Sequence, residues 1–506
     1  MFKNLMITKP ISASPEVHAG EDSPVTPAAA GLGSEHGQLK RTLSGWQLLL
    51  LGVGGIIGAG IFVMTGQAAA NHAGPAIMLS FVLAGLACAF AGLCYAEFAA
   101  MLPVSGSAYS YTYATMGEAL AWFVGWSLVL EYQFAAAAVA VGWSAYTISM
   151  MESMAQLAGI DWQFPAWLAS APVTVVDGKL VSTGALFNLP AVLVIFAIAA
   201  LCYVGIRNSA RANAVIVAIK VVVILALIGF GAAYVNAANW HPFIPANEGG
   251  DRFGWEGVLR GASIVFFAYI GFDAVATAAQ EAKNPQRDMP VGILGSLVVC
   301  TVLYIAVSAV LTGMTPYTEL GTAKPVATAL EAYPALSLLK YAVEIAAVAG
   351  LTSVILVMMM AQPRVFYAMA TDGLLGKVFA AVHPRFHTPH KATVIVAICA
   401  AALAAVFPLG VLGDLVSMGT LLAFAVVCAS VLILRRTRPD LKRHFRVPFA
   451  PVVCVLGTLS CLSLVFFMGW YNWALLAGWT AIGFAIYFSY GVRHSRVRQA
   501  ARGEHV

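Results

Sequence analysis

Gly52-Val-Gly-Gly-Ile-Ile-Gly-Ala-Gly-Ile-Phe62 places five glycines within residues 52–60, in the middle of an uncharged, mainly apolar run over residues 45–71. A bilayer crossing asks for about 20 predominantly apolar residues, so the run is long enough to span one. Each glycine weakens a helix, and such a cluster needs a physical reason. Close packing is one reason, since Gly54 and Gly58 form a GxxxG pair. The other is a helix break at mid-membrane, with Gly58-Ala59-Gly60 opening a second half whose bare N–H groups and positive dipole end face an anion. A dinucleotide loop is excluded, because the spacing is not GxGxxG and no βαβ pattern surrounds it.

The surrounding composition agrees with a membrane solvent. The 506 residues are 60% apolar and 10% charged, with mean hydropathy +0.83, whereas soluble domains carry about 25% charged residues. The 28 basic and 23 acidic side chains are too few to cover the surface of a soluble chain this long. An ordinary cytosolic enzyme, a disordered chain and a disulfide-stapled secreted module are thereby excluded. All eight cysteines lie in apolar runs without a CxxC, and they read as small buried hydrophobes rather than a disulfide or zinc framework.

Twelve apolar stretches read as spans: 45–71, 74–101, 119–151, 185–205, 210–235, 257–281, 290–313, 335–370, 391–408, 411–434, 448–469 and 472–491. The expected fold is therefore an all-α polytopic membrane protein. Residues 1–40 are polar and rich in Ser, Pro and Gly, and are expected to form a disordered cytoplasmic tail without a signal-peptide cleavage site. With both termini inside, 22 basic residues fall in cytoplasmic segments and only Lys179, Arg252 and Lys324 in outer loops, the bias expected of a multi-pass protein of the cell (inner) membrane. The basic clusters at 435–446 and 493–502 read as topology anchors beside anionic membrane lipid, not as nucleic-acid patches.

Span 6 contains a second interruption, Ser263-Ile-Val-Phe-Phe-Ala-Tyr-Ile-Gly-Phe-Asp273, with Gly271 at mid-span. Interrupted helices in corresponding positions of two halves mark a transporter binding site. That pairing divides the chain into a first inverted repeat at 41–236 (spans 1–5), a second at 237–434 (spans 6–10), two additional helices at 435–491 and a cytoplasmic tail at 492–506.

Tyr95-Ala-Glu-Phe-Ala-Ala-Met-Leu-Pro-Val-Ser-Gly-Ser-Ala-Tyr109, Gly271-Phe-Asp273 and Glu281-Ala-Lys-Asn-Pro-Gln-Arg-Asp-Met-Pro290, taken with the glycine cluster, resemble the amino acid–polyamine–organocation permeases. Gln362-Pro-Arg-Val-Phe-Tyr-Ala-Met-Ala-Thr-Asp-Gly373 and His383-Pro-Arg-Phe-His-Thr-Pro389 resemble their cationic amino acid transporter branch. The resemblance covers residues 40–490. It implies a five-plus-five inverted repeat with discontinuous helices 1 and 6, two added helices, and alternating-access uptake of amino acids.

By that resemblance the substrate carboxylate belongs on the N–H groups of Gly58, Ala59 and Gly60. Its ammonium belongs on carbonyls of Ile56, Phe267, Ala268 and Ile270. Of Phe266, Phe267, Tyr269 and Phe272, only one or two are expected to cover the pocket, the rest being core. Lys220 lies in Ala218-Ile-Lys-Val-Val-Val-Ile224 at mid-span, where an ionisable residue is a functional candidate by default. The resemblance makes it the proton-coupling residue, bonded to carbonyls of Gly54 and Ile57, with Thr352 and Ser353 of span 8 nearby. Glu131 is the other deep charge, which could neutralise a cationic substrate side chain, pair with another span or bind protons. Glu97, Arg207, Lys283, Arg287 and Arg364 are candidates for cytoplasmic contacts. No HExxH, GxSxG or His-rich set argues for an enzyme, a resident metal or a cofactor, and no polar ring argues for a channel filter. The partners implied are amino acid, protons and lipid; proton symport stands beside exchange as the coupling mode.

Overall fold

A computed structural model of the chain describes residues 7–9, 43–102, 107–176, 179–205, 209–279, 282–386 and 388–502. Arg207, Glu281 and most of the expected N-terminal tail lie outside them. Helix α1 (Gly45–Ile56) starts in a capping box, the Ser44 side chain accepting from the Gln47 N–H and the Gln47 side chain from the Ser44 N–H. It stops at Ile57, which is extended (φ −71°, ψ 99°), and the line resumes as the wound turns Gly60–Met64, Thr65–Ala68 and Ala69–Ala73. Gly74 (φ +60°) and Pro75 then turn the chain into α2 (Ile77–Met101).

The remaining helices follow in order: α3 (Ser107–Thr115), α4 (Glu118–Leu157), α5 (Leu189–Val204), α6 (Ser209–Gly231), α7 (Gly254–Val265), α8 (Phe272–Thr277), α9 (Pro285–Met314), α10 (Pro325–Glu331), α11 (Ser337–Thr371), α12 (His390–Val406), α13 (Leu409–Thr437), α14 (Ala450–Phe466), α15 (Gly469–Ile486) and α16 (Arg496–Ala501). Between α4 and α5 the all-α expectation meets its exception. An antiparallel hairpin pairs β1 (Val173–Val176) with β2 (Lys179–Ser182), in register Val173 to Ser182.

Among the described residues, eight helical runs are long and apolar enough to cross a membrane, and α5, α12 and α14 are shorter apolar helices. The chain is a multi-pass membrane protein. Burial separates its inner helices from its outer ones. The apolar windows of α4 and of the α7–α8 run are 89% and 94% buried, those of α6 and α15 only 28% and 22%. Without a water-exclusion force between helices in lipid, such packing rests on close fit and polar contacts. Accordingly α4 lies against α11 and α13, α2 against α9, and α1 against α9 and α6. Seven cysteines are buried as expected; Cys399 is exposed.

At the basic face the segments flanking the bundle are tied to it. Glu118, fully buried, accepts from Arg498 Nε at 2.6 Å, Tyr487 Oη at 2.9 Å and Tyr113 Oη at 2.8 Å, and also from Ser495. Residues expected to be a tail thus include a buried arginine. Removing one partner of a buried pair leaves the other charge uncompensated. Glu118→Ala is expected to lower unfolding free energy by about 3 kcal/mol, read as a reduced unfolding midpoint of the purified protein in detergent.

Candidate functional site

The two interruptions meet. In the second, α7 gives way to a tight turn at Phe266–Tyr269, an extended Ile270 (φ −62°, ψ 134°) and Gly271 at φ +119°, before α8 begins. A Cβ added at Gly271 would lie 2.7 Å from Gly55 O, and one at Gly60 would lie 2.2 Å from both Cα and Cβ of Ala268. Only glycine lets the backbones of the two breaks approach this closely. Packing and breaking, separate explanations for the glycine cluster from sequence, therefore coexist: a Cβ at Gly58 would sit 2.8 Å from Val354 Cγ2 and one at Gly52 2.5 Å from Ser296 Oγ.

Backbone groups stripped of their helical partners gather at this crossing. Gly58, Ala59 and Gly60 start the second half of the first broken helix, where the opening amides have no acceptor within their own turn. Facing them, Ile56 O and Ala268 O each lie 2.9 Å from the hydroxyl of Tyr304 on α9. A hydroxyl has one proton, so it satisfies one carbonyl at a time and leaves the other short of a donor. Phe267 O instead accepts the Ile270 N–H at 3.3 Å. Tyr304 was not among the residues singled out from sequence. A lone tyrosine in Val302-Leu-Tyr-Ile305 signals only that a polar tip needs a partner.

Lys220 is fully buried on the inward side of α6. Its Nζ donates to Gly54 O at 2.9 Å, Ile57 O at 2.9 Å and Ser353 Oγ at 2.9 Å, with Gly350 O at 3.4 Å. Three donors meet three close oxygens, two of them on the last turn before the first break. Gly350 makes room for the stem, since a Cβ there would lie 2.7 Å from Lys220 Cδ. Thr352 turns elsewhere, accepting from Trp143 Nε1 at 2.8 Å.

The span-6 aromatics divide as packing dictates. Phe266 meets Phe424 edge to face and Phe272 meets it at a tilt, at 5.7 and 4.9 Å between centroids, and Tyr269 contacts Phe81 and Tyr304 while donating to Phe81 O at 2.9 Å. Phe267 is the one of the four left without a ring partner among the described contacts, and it is 5% exposed. Glu131 is fully buried on α4, next to Asp273 of α8.

Polar contacts lie on both sides of the crossing. At the basic face Asp372 accepts from Lys9 Nζ at 2.6 Å and from Tyr109 Oη at 2.8 Å, while Lys9 N donates to Tyr113 O at 3.0 Å. Glu97 is held by Arg435, by the Val447 N–H and, at 3.4 Å, by the Arg443 guanidinium. On the opposite face a cavity of about 550 Å³ is lined by Ser149, Glu152, Lys324, Glu331 and Lys340. Burial pushes the Glu331 carboxyl up, but Lys340 at 3.0 Å and Lys324 at 3.2 Å outweigh it and hold it below the usual carboxylate range.

The family model for amino acid permeases matches residues 43–492. The chain is 47% identical over 462 residues to the methylthioribose transporter of Bacillus subtilis, covering 91% of this chain and 96% of that protein. It is 45% identical to the branched-chain amino acid permease BcaP of the same organism, covering 91% and 95%. To the vacuolar cationic amino acid transporter 2 of Arabidopsis thaliana it is 38% identical over 409 residues, 81% of this chain and 62% of that one. These relatives are transporters rather than enzymes. The chain belongs to the amino acid permease family, within the amino acid–polyamine–organocation superfamily its motifs resemble.

Proposed function

We propose that this chain imports amino acids across the cell membrane by proton symport with alternating access. The reading assigns it twelve spans, with two five-helix inverted repeats at 41–236 and 237–434, two further helices, and both termini in the cytoplasm. Substrate carboxylate meets the N–H groups of Gly58, Ala59 and Gly60, and ammonium meets the carbonyls of Ile56, Phe267, Ala268 and Ile270. Phe267 covers the bound molecule and Glu131 meets its side chain. Lys220 carries the coupling proton.

The observation that carries this reading is the Tyr304 hydroxyl held 2.9 Å from carbonyls of both broken helices. One proton shared by two acceptors leaves a place for the several donors of an ammonium. Lys220 supplies the coupling, because its ammonium bonds the same stretch of the first helix, Gly54 and Ile57, from outside the crossing. An inward proton gradient that keeps Lys220 charged keeps those carbonyls tied. Release of the proton frees them, and the break can rearrange.

Uptake into proteoliposomes, with and without an inward proton gradient, tests the proposal on a panel of alanine, leucine, lysine, arginine and methylthioribose. Accumulation of an amino acid above equilibrium only with the gradient is expected. Flux requiring a second amino acid on the far side and indifferent to the gradient would make the chain an exchanger. Uptake of methylthioribose alone would remove the amino acid reading. Inhibition of alanine uptake by lysine or arginine is expected if Glu131 meets cationic side chains, and its absence would remove that role.

A further inference from the structure

Helix α4 runs for 40 residues, whereas a bilayer crossing asks for about 20. Its polar last turns extend past the apolar core. Ser149, Glu152 and Ser153 sit there at helical spacing on one face, and that face lines the cavity of about 550 Å³ opposite the basic face. Asp161 of the segment after α4 joins the wall, with Lys324 just before α10, Glu331 at its end and Lys340 in the first turn of α11. The volume falls within the range of small-molecule sites, about 300–1,000 Å³, and the charged wall sets the space apart from a packing void.

The polar groups of this wall do not satisfy one another. Both lysines converge on one oxygen, Glu331 Oε1, which lies 3.0 Å from Lys340 Nζ and 3.2 Å from Lys324 Nζ. Lys324 also donates to Ser149 Oγ at 2.9 Å. An ammonium has three donors, so one N–H on Lys324 and two on Lys340 are left over. The α4 side has the reverse surplus. Glu152 accepts one N–H, from Phe164 at 3.2 Å, and neither it nor Asp161 forms an ion pair among the described residues. Beneath the wall Glu344 is fully buried, accepting from Ser149 Oγ at 2.6 Å while its Oε2 has no donor. Four carboxyl groups thus adjoin the space against two ammonium groups. Spare donors on one side, with spare acceptors and a deficit of positive charge on the other, match the two ends of an α-amino acid. We propose that the cavity is a second amino acid site, where a molecule waits before reaching the crossing, its carboxylate on Lys324 and Lys340 and its ammonium on Glu152 and Asp161.

The placement gives the site a consequence for transport. One turn deeper on α4, Tyr146 donates to Phe62 O at 2.7 Å, in the wound turns that follow the break of the first helix. Helix α10 rests on the same stretch, for a Cβ added at Gly66 would lie 2.2 Å from Pro325 Cβ. Glu331, the last residue of α10, is held to α11 by Lys340. A bound carboxylate competes with Glu331 for the two lysines, and each lysine that turns to it weakens the hold on α10. Occupancy of the cavity therefore loosens the cover of the first broken helix when a molecule is at hand. This inference goes beyond the transport reading and rests on it for its consequence, but binding in the cavity can be measured without transport.

The test is equilibrium dialysis of the purified full-length protein against radiolabelled alanine, which offers both charged ends and little else. The wild type is expected to bind two molecules per chain. Lys324→Gln and Glu152→Gln are each expected to lose the molecule in the cavity, and Gly60→Ala the one at the crossing. Added salt is expected to weaken the cavity site, built from partly exposed charges, more than the crossing, built from backbone groups. Ethylamine and propionate each carry one of alanine's two charges and are expected to displace it from the cavity about tenfold less well than unlabelled alanine, or worse. A single molecule per chain in the wild type, still bound by Lys324→Gln and Glu152→Gln proteins that elute as folded monodisperse species, overturns the proposal. Ethylamine that displaces alanine as well as alanine itself does overturns the role of the lysines. In proteoliposomes Lys324→Gln is expected to raise the alanine concentration giving half-maximal uptake; an unchanged value overturns the waiting role. A wild-type protein that accumulates no amino acid, yet binds alanine in a way lost in Lys324→Gln and kept in Gly60→Ala, would sink the transport reading and leave the cavity site standing.

Discussion

Lys220→Ala is expected to reduce amino acid accumulation under an inward proton gradient to the level reached without one. The side chain donates to three oxygens at 2.9 Å, and no water-filled surface is at hand to replace it. Truncation leaves Gly54 O, Ile57 O and Ser353 Oγ short of a donor, at about 1–3 kcal/mol for each buried group left unsatisfied, and adds a cavity along the lost stem. Ser353 compensates in part, since its hydroxyl already lies 3.3 Å from Gly54 O. Lys220→Met separates the two losses, because it fills most of the volume and restores no donor. If coupling resides in the charge, both variants lose the response to the gradient while the methionine form keeps more of its thermal stability. The measurement is the ratio of uptake with and without the gradient, beside the unfolding midpoint. A ratio that stays at the wild-type value in either variant removes Lys220 from the coupling step and leaves it a structural anchor of α6.

The contrast between what was legible and what was not follows from the kind of signal each feature leaves. Membrane crossings write themselves as apolar length, so the span expected at 119–151 overlaps α4 (Glu118–Leu157) and that at 185–205 overlaps α5. The ends are missed for local reasons. Asn188 caps α5 with its side chain accepting from the Ala191 N–H, whereas the last turns of α4 continue through the polar Glu152 and Ser153. Positions of deep charges are equally plain, because Lys220 and Glu131 interrupt apolar runs. Their partners are not. Nothing near Glu131 in the chain points to Asp273, 142 positions on (273 minus 131), and Tyr304 shows no pattern that ties it to Ile56 and Ala268. The docking of Lys9 on Asp372 was hidden for the same reason. The hairpin at 173–182 leaves a different signal in the sequence, Asp177-Gly178 between β-prone residues, and none of the apolar length that marks a membrane crossing.

Gly60→Ala is expected to weaken substrate binding by at least tenfold, about 1.4 kcal/mol, although it adds one methyl group and improves helix propensity. The added Cβ would lie 2.2 Å from Cα and Cβ of Ala268 and 3.0 Å from its backbone nitrogen. Carbon atoms settle at about 3.5–4.0 Å, so the two breaks must separate, and no flexible side-chain end can yield instead. Separation pulls Ala268 O away from Ile56 O, which the Tyr304 hydroxyl now bridges at 2.9 Å on each side. Acceptors drawn from two helices then no longer converge on one ammonium. Gly229→Ala is the matching control, because a Cβ on that residue of α6 meets nothing within 4 Å. There the same substitution should stabilise the helix by up to about 1 kcal/mol and leave binding unchanged. Ligand-dependent shifts of the unfolding midpoint, taken with an amino acid that the wild type accumulates, separate lost affinity from lost folding. Wild-type affinity in a folded Gly60→Ala protein would mean that the substrate does not depend on the close contact of the two breaks, and a site built from carbonyls of both helices would have to be abandoned.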